Sequence, residues 1–408
     1  MDFKIKELVW NSHGTHLALI GSYELAVIVF PRLGLTGPVK SDTIPPKSPL
    51  YKFKAYNRVL HVGKSAYDST NTIRKVLFHP QSKHDNTLVI LSSDSHLRVF
   101  ELSLSAHTPE QDIELFPLPR RGYTVEFDIP IPISFTFGTG ADWSIWSVFV
   151  LTHNGDIYIL TPLMPTKCVV SRLSLTRMRA LISKRMDQIH TLVDCPLLEK
   201  ETCLNQSRWI SDILGQITMG EFMGLTSSPV ITGNDLGDMV TFKRPNKVRP
   251  TPELQGPVLF QPSSLPIGDV LSEADDIAII DAHGVSVLVT TWKGGRVDIG
   301  ILVDSVEGVW GVNGISRDDL RSIRVAAYEC IDLPVLRSAA TGILTSHNED
   351  EAIFAVSNGM AWKIDFRGWL QELQKIEQME DDEDIFFNRK PSLVTLVTDE
   401  RYSKFLTC

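Results

Sequence analysis

One pattern recurs along this chain more often than any other: an alternating apolar strand, a tight polar turn, then a second alternating strand. The first copy places 17–20 and 25–30 on either side of Gly21-Ser22-Tyr23. The second sets 88–91 and 97–102 around Ser93-Asp94-Ser95, and the third sets 148–151 and 157–160 around His153-Asn154-Gly155. Two later copies turn at Lys293-Gly294-Gly295 and at Ser357-Asn358-Gly359. Successive strand side chains point to opposite faces, and Asn-Gly, Gly-Gly or Asp-Ser tolerate the positive φ of tight primed turns, so each copy predicts a β-hairpin. Recurrence every ~50–70 residues predicts the blades of a β-propeller, in which radial repetition leaves few open sheet edges. The expectation is an all-β chain of about six complete or partial blades forming one domain over 1–408.

The bulk numbers constrain the rest. A chain of 408 residues with 43% apolar content buries a large core. Its length alone suggests two or three domains, but the repeat argues for one radial domain. A net charge of −9 weighs against a nucleic-acid-binding surface spread over the whole molecule, while a local basic groove stays compatible with it. Five cysteines, an odd number with no CxxC pair, read as reduced cytosolic or nuclear thiols. No apolar run approaches the ~18–20 residues of a membrane span, and the first residues lack a signal-peptide core, so a soluble intracellular protein is expected. Asn205-Gln206-Ser207 then reads as a chance glycosylation sequon.

The β pattern breaks at 167–193. Leu175, Met178, Ile182, Met186, Ile189 and Val193 follow helical spacing, while Arg172, Arg177, Arg179, Lys184 and Arg185 take other positions. A second, shorter helix is expected over 206–216. Together they predict a helical insertion at about 167–216, set between blades and laid over the propeller surface. Its arginines read as a solvated helix face, with acidic partners or nucleic acid as the functional alternative. The basic loop 243–250 passes for a localisation signal but equally for ordinary surface. Near the end, Trp369, Leu373 and Ile376 share one helix face with Met379 beside them, and the acidic run 380–384 follows at the negative end of the helix dipole. A helix of about eleven residues is marginal alone in water, so this stripe docks either on its own propeller or on another protein.

Signatures of catalysis are missing: there is no HExxH, GxxxxGK[ST], GxSxG or CxxC pair, and no GxGxxG followed by a helix. His13 and His16 lie three apart in an expected turn with no third ligand nearby. Residues 234–238 lack the remaining positions of a calcium loop. His79-Pro80 reads as the end of a blade strand. The expectation is a non-enzymatic protein without cofactor or metal.

Three segments go beyond composition. They are the strand 73–82 with its following hairpin, the run Gly155-Asp156-Ile157-Tyr158-Ile159-Leu160-Thr161-Pro162-Leu163-Met164-Pro165, and the stretch from Gln255-Gly256-Pro257 through Asp276-Ile277-Ala278 to Gly295-Arg296-Val297-Asp298-Ile299. In order and spacing they resemble the eighty-two/eighty-eight-kilodalton nucleoporin family of the cytoplasmic face of the nuclear pore, its fungal members in particular. The resemblance covers roughly 70–408, with a weaker match before that. It implies a seven-bladed propeller, of which this chain holds about six blades, followed in the family by a C-terminal coiled coil that this chain lacks. Met1 falls where the family already has about one blade behind it, and Cys408 falls within the last blade, so a partial ring is expected.

The resemblance also implies partners and function. The family propeller binds the autoproteolytic C-terminal domain of a GLFG-repeat nucleoporin and the helical tail of a larger FG nucleoporin. It supports messenger-RNA and ribosomal-subunit export from the cytoplasmic side of the nuclear envelope. By resemblance, Asp156 meets a basic loop of the first partner, and the loop 120–123 carries Tyr123 towards it, although the family's aromatic-glycine motif is absent there. The competing reading of Asp156 is that it merely follows a tight turn. For the second partner the resemblance names Trp369, Leu373, Ile376 and Met379, with Phe386 and Phe387 extending the contact. The alternative from another class is a WD-like propeller adaptor of a vesicle-coat or ubiquitin-ligase complex, against which the missing Gly-His and Trp-Asp signatures count. A propeller hydrolase needs inward Asp/His clusters, and none is visible.

Overall fold

The computed structural model describes residues 3–30, 58–117, 130–140, 142–192, 195–222, 239–245, 251–261, 273–282, 285–311, 322–334, 341–345, 352–357, 360–365 and 395–398. The chain divides into two compact units, Met1–Pro117 and Leu118–Cys408.

The first unit holds two four-stranded antiparallel sheets. Strands β1 (Glu7–Trp10), β2 (His16–Ile20), β3 (Leu25–Val29) and β4 (Arg58–His61) pair in sequence order. So do β5 (Ile73–Phe78), β6 (Thr87–Ser92), β7 (His96–Glu101) and β8 (Gln111–Glu114). Alternation aims Ala18, Ile20, Leu25 and Val27 of one sheet at a core shared with Val76, Leu88, Ile90 and Phe100 of the other. Ser95 takes φ +64° in the β6–β7 turn, as the hairpin signal requires. Behind this turn, buried Arg98 donates to Ser92 Oγ at 2.6 Å and to Asp94 at 2.6 Å, and reaches Asp112 at 3.3 Å. Burial opposes ionisation of Asp94, but the hydrogen bonds from Arg98 and Ser92 outweigh it and hold the carboxyl at about 2.

The second unit begins with β9 (Pro132–Phe137), the 3-10 turn Trp143–Trp146, β10 (Val148–Thr152) and β11 (Ile157–Leu160). After these come β12 (Lys167–Ser171), α1 (Arg172–Thr191), α2 (Leu197–Phe222), β13 (Met239–Lys243) and β14 (Leu254–Gln255). The short strand β14 returns to pair with β11, giving the order β14-β11-β10-β9. The insertion therefore lies within one blade, between its third and fourth strands, and not between blades as the sequence suggested. A two-residue strand is too short to show alternation, which is why its membership was not legible. The β12–β13 ribbon forms the base of the insertion. Residues 167–171, expected to be helical, are strand, and Ser171 caps α1 by accepting from Ser174 N at 3.0 Å. The second helix, expected to be the shorter, is the longer of the two; its inner face includes buried Thr202, Asn205, Gln206 and Asp212, which an apolar-period reading passes over.

Four tryptophans fasten the insertion to its blade. Trp209 of α2 lies 4.7 Å from Trp143 and 4.9 Å from Trp146, ring centre to ring centre, and Trp310 meets Trp143 edge-on at 6.0 Å. Leu175, Met178 and Ile182 of α1 and Ile210, Ile213 and Ile217 of α2 complete this core. Gln216 locks the base, accepting from Lys243 N and donating to Lys243 O.

Two further sheets follow. Strands β15 (Leu259–Gln261), β16 (Ala274–Ala282), β17 (Val285–Trp292), β18 (Arg296–Leu302) and β19 (Arg324–Asp332) make a five-stranded sheet in the order β15-β19-β18-β17-β16, with β15 parallel to β19. Strands β20 (Gly342–Thr345), β21 (Ala352–Ser357), β22 (Met360–Asp365) and β23 (Thr395–Thr398) form the last. Five blade-type sheets thus stand among the described residues, where about six were expected.

Candidate functional site

The β10–β11 hairpin carries the one partner-directed candidate that falls within the described residues. Thr152 N and Thr152 Oγ1 both donate to Asp156 O at 2.9 Å, and Gly155 N donates to Thr152 O at 2.9 Å, closing the turn. Asn154 then donates to Asp156 Oδ2 at 2.7 Å. The Asp156 carboxylate is therefore held by its own turn, half-buried, with Asn154 exposed beside it. Gly155 is required twice over. Its φ is +91°, and a Cβ there would meet the Trp292 ring at 2.1 Å.

Trp292 brings the neighbouring sheet onto this turn. It ends β17, donates Nε1–H to Asp298 at 2.8 Å and lies under the Arg296 guanidinium at 5.6 Å. Arg296 pairs with Asp298 at 2.8 Å. Next to it, Lys293 forms an ion pair with Glu273, and this contact holds the Glu273 carboxyl below the usual range.

Deeper in, two consecutive aspartates clamp three sheets. A register shift at the start of β16 lets both Asp275 and Asp276 reach neighbouring sheets. Asp276 Oδ1 accepts from Ser134 of β9 at 2.5 Å, while Oδ2 accepts from Ile343 N of β20 at 2.9 Å. Asp275 accepts from Thr341 N at 2.5 Å. Burial pushes the Asp275 carboxyl up, the Thr341 bond works against that, and the Asp276 charge adds to it.

Topology separates this region from the other candidate. Asp156 sits where the second strand of its sheet turns into the third, and the start of β16 joins that end through Ala274 N donating to His153 O at 2.9 Å. The insertion leaves from the opposite end, after the third strand. Segment 366–394 does the same in the last sheet, since Asp365 pairs with Thr395 across β22 and β23. It joins the third and fourth strands of one sheet. Trp369, Leu373, Ile376, Met379, Phe386 and Phe387 on that segment, and Tyr123 elsewhere, lie outside the described residues. The clamp and Trp292 were missed by the sequence reading. Their signals were an Asp-Asp pair opening a strand and a tryptophan directly before Lys-Gly-Gly.

Among the described residues no group of three or more His, Cys, Asp or Glu stands where it would hold a metal. His13 meets the Asp85 carboxylate of the next sheet, and His16 pairs within its own turn. No helix of the described residues is long and apolar enough to cross a membrane.

The repeated four-stranded meanders and the fold matches place the chain in the β-propeller class. Within that class the chain resembles the propeller of the Nup82/Nup88 nucleoporin family. The model described as nucleoporin NUP82 beta-propeller matches 132–311, and the nuclear pore component model Nup88 matches 1–173. Nucleoporin nup82 of Schizosaccharomyces pombe is 23% identical over 330 residues, which cover 76% of this chain and 40% of that protein. Nuclear pore complex protein NUP88 of Arabidopsis thaliana is 27% identical over 337 residues, 77% of this chain and 36% of that one. The chain thus spans less than half the length of these curated relatives, and they include a plant protein as well as a fungal one. In structure, the Nup82 N-terminal domain complex of Chaetomium thermophilum matches with TM-score 0.73 at 17% identity, covering 98% of this chain and 79% of that one. That structure is a heterotrimer with a Nup159 tail and a Nup145N APD. The yeast Nup82-Nup159-Nup116 complex matches with TM-score 0.65 at 16% identity, over 96% of this chain and 79% of that one.

Proposed function

We propose that this chain is a non-enzymatic platform of the nuclear pore, holding FG nucleoporins at its cytoplasmic face in support of messenger-RNA and ribosomal-subunit export. The observation that carries this reading is the agreement of two nucleoporin family models along 1–173 and 132–311. The partners proposed are an autoproteolytic domain of the Nup145N/Nup116 kind and a helical tail of the Nup159 kind, the chains found with the similar propellers.

In this reading the first partner docks at the Asp156 turn and the second at the segment bearing Trp369, Leu373, Ile376 and Met379. The two candidates leave their sheets at opposite ends, which supports simultaneous occupation. A carboxylate already held by Asn154 needs no reordering to meet a basic loop. If the pair is desolvated, losing it costs ~2–5 kcal/mol, and far less at a rim.

The test is titration of the partner domain and tail peptide into purified chain. Asp156→Lys is expected to weaken the domain and leave the tail unaffected; Leu373→Asp with Ile376→Asp is expected to do the reverse. Recovery of coat or ligase subunits in place of nucleoporins from a cell extract sinks the platform reading. Unchanged domain affinity for Asp156→Lys removes only that site.

A further inference from the structure

We propose that the outward stripe of α1 is a docking surface for an acidic amphipathic helix of a partner protein. The inner face of α1 is accounted for by buried Leu175, Met178, Ile182 and Ile189. Away from it stand Leu173, Arg177, Leu181, Lys184 and Gln188, at spacing i, i+4, i+8, i+11 and i+15. At 100° per residue these fall within about 80° of one another, a single stripe along the helix. Leu192, directly after α1, continues it. Leu173, Leu181 and Leu192 are each 55% exposed. Single exposed leucines need no explanation, but two on one helix stripe with a third just past its end form a patch.

The charge of the stripe selects the occupant. Arg177 and Lys184 alternate with the leucines, and Asp187, the sole acid in α1, lies at the edge of the stripe. Arg185 is turned inward to Glu307. This positive strip belongs to a chain of net charge −9, so it is not a general property of the surface. The first turn of α1 also contains no acid to balance its positive dipole end, which a partner carboxylate there would do. A membrane is the poorer fit, because sinking the leucines into an acyl layer would bury Arg177 and Lys184 with them. Nucleic acid would use the cations and leave the leucines in water. A helix with leucines at i, i+4 and i+7 flanked by glutamates satisfies both sets at once.

The probe is a fluorescein-labelled synthetic helix of about 18 residues with that leucine and glutamate pattern, titrated into the full chain by anisotropy at low salt. We expect saturable binding. It should weaken at least about tenfold in Leu173→Glu with Leu181→Glu, and similarly in Arg177→Glu with Lys184→Glu. A peptide with lysine in place of glutamate should not bind. Absence of binding, binding indifferent to both double variants, or equal binding of the lysine peptide overturns the proposal. So does α1-dependent capture of a short uridine oligomer or of phosphatidylserine vesicles without capture of the acidic peptide. Thermal melts monitor folding, and if the leucine variant melts early the charge variant decides the outcome.

Discussion

At the residue scale, Gly155, Asp275 and Arg98 show how much single positions carry. Gly155→Ala forces a side chain into a left-handed conformation, at ~1–2 kcal/mol, and against the Trp292 ring as well. Urea unfolding should show a loss of at least about 2 kcal/mol for this variant, and a neutral result would mean that Trp292 swings clear. For Asp275 the sign runs opposite to the usual carboxylate. Its folded-state value is raised by burial, so its contribution to stability declines as pH rises from its usual value of 3.8 through the raised one. Asp275→Asn keeps an acceptor for Thr341 N and removes the buried charge. It should match or exceed the wild type at neutral pH, whereas Asp275→Ala should fall below both, as read by thermal melts. Asp94 behaves in the ordinary sense. Held at about 2, it contributes stability that is present above 3.8 and lost as pH falls through about 2. Arg98→Met should flatten that part of an acid-unfolding curve and lower stability above pH 4. None of these three networks was legible in the sequence, because each joins side chains whose proximity is set by register and by the packing of neighbouring sheets.

At the scale of elements, the hairpins were readable and the insertion only partly so. Alternation around Ser93-Asp94-Ser95 and His153-Asn154-Gly155 located β6, β7, β10 and β11 because both residue type and period speak there. The inner face of α1 announced itself through Leu175, Met178 and Ile182. Helix α2 hid half its length behind buried Thr202, Asn205 and Gln206, of which Gln206 donates to Gly308 O at 3.1 Å. Polar groups of this kind are satisfied only by tertiary structure, so a hydrophobic count cannot anticipate them. Trp209→Ala should cost about 3–5 kcal/mol of local stability. Hydrogen exchange should then show amides of α1 and α2 losing protection while β9, β10 and β11 keep theirs. Uniform loss across these elements would show that insertion and blade unfold as one.

At the scale of the whole molecule, the fold class and the family resemblance were legible, and the blade count was not. The recurring turns gave the propeller; five blade-type sheets, not about six, stand among the described residues. Of the candidate site, Asp156 was named by the family resemblance and not by its turn, while Trp292 and the aspartate clamp came only from the packed sheets. Replacing 366–394 by an Asn-Gly turn should leave β22 and β23 paired, since Asp365 and Thr395 are already partners. On the function proposed above, that chain should bind the autoproteolytic domain and lose the tail, a result to be read by co-purification of both. The blade interrupted by α1 and α2 has a consequence of another kind, in the timing of synthesis. Its outer strand, Leu254–Gln255, emerges only after residues 161–253 have been made. At ribosomal rates that is on the order of 5–20 s during which β11 presents an unpaired edge. Nascent β11 is then open to any strand that reaches it, while α2, complete by Phe222, already carries the Trp209 that packs on Trp143 and Trp146.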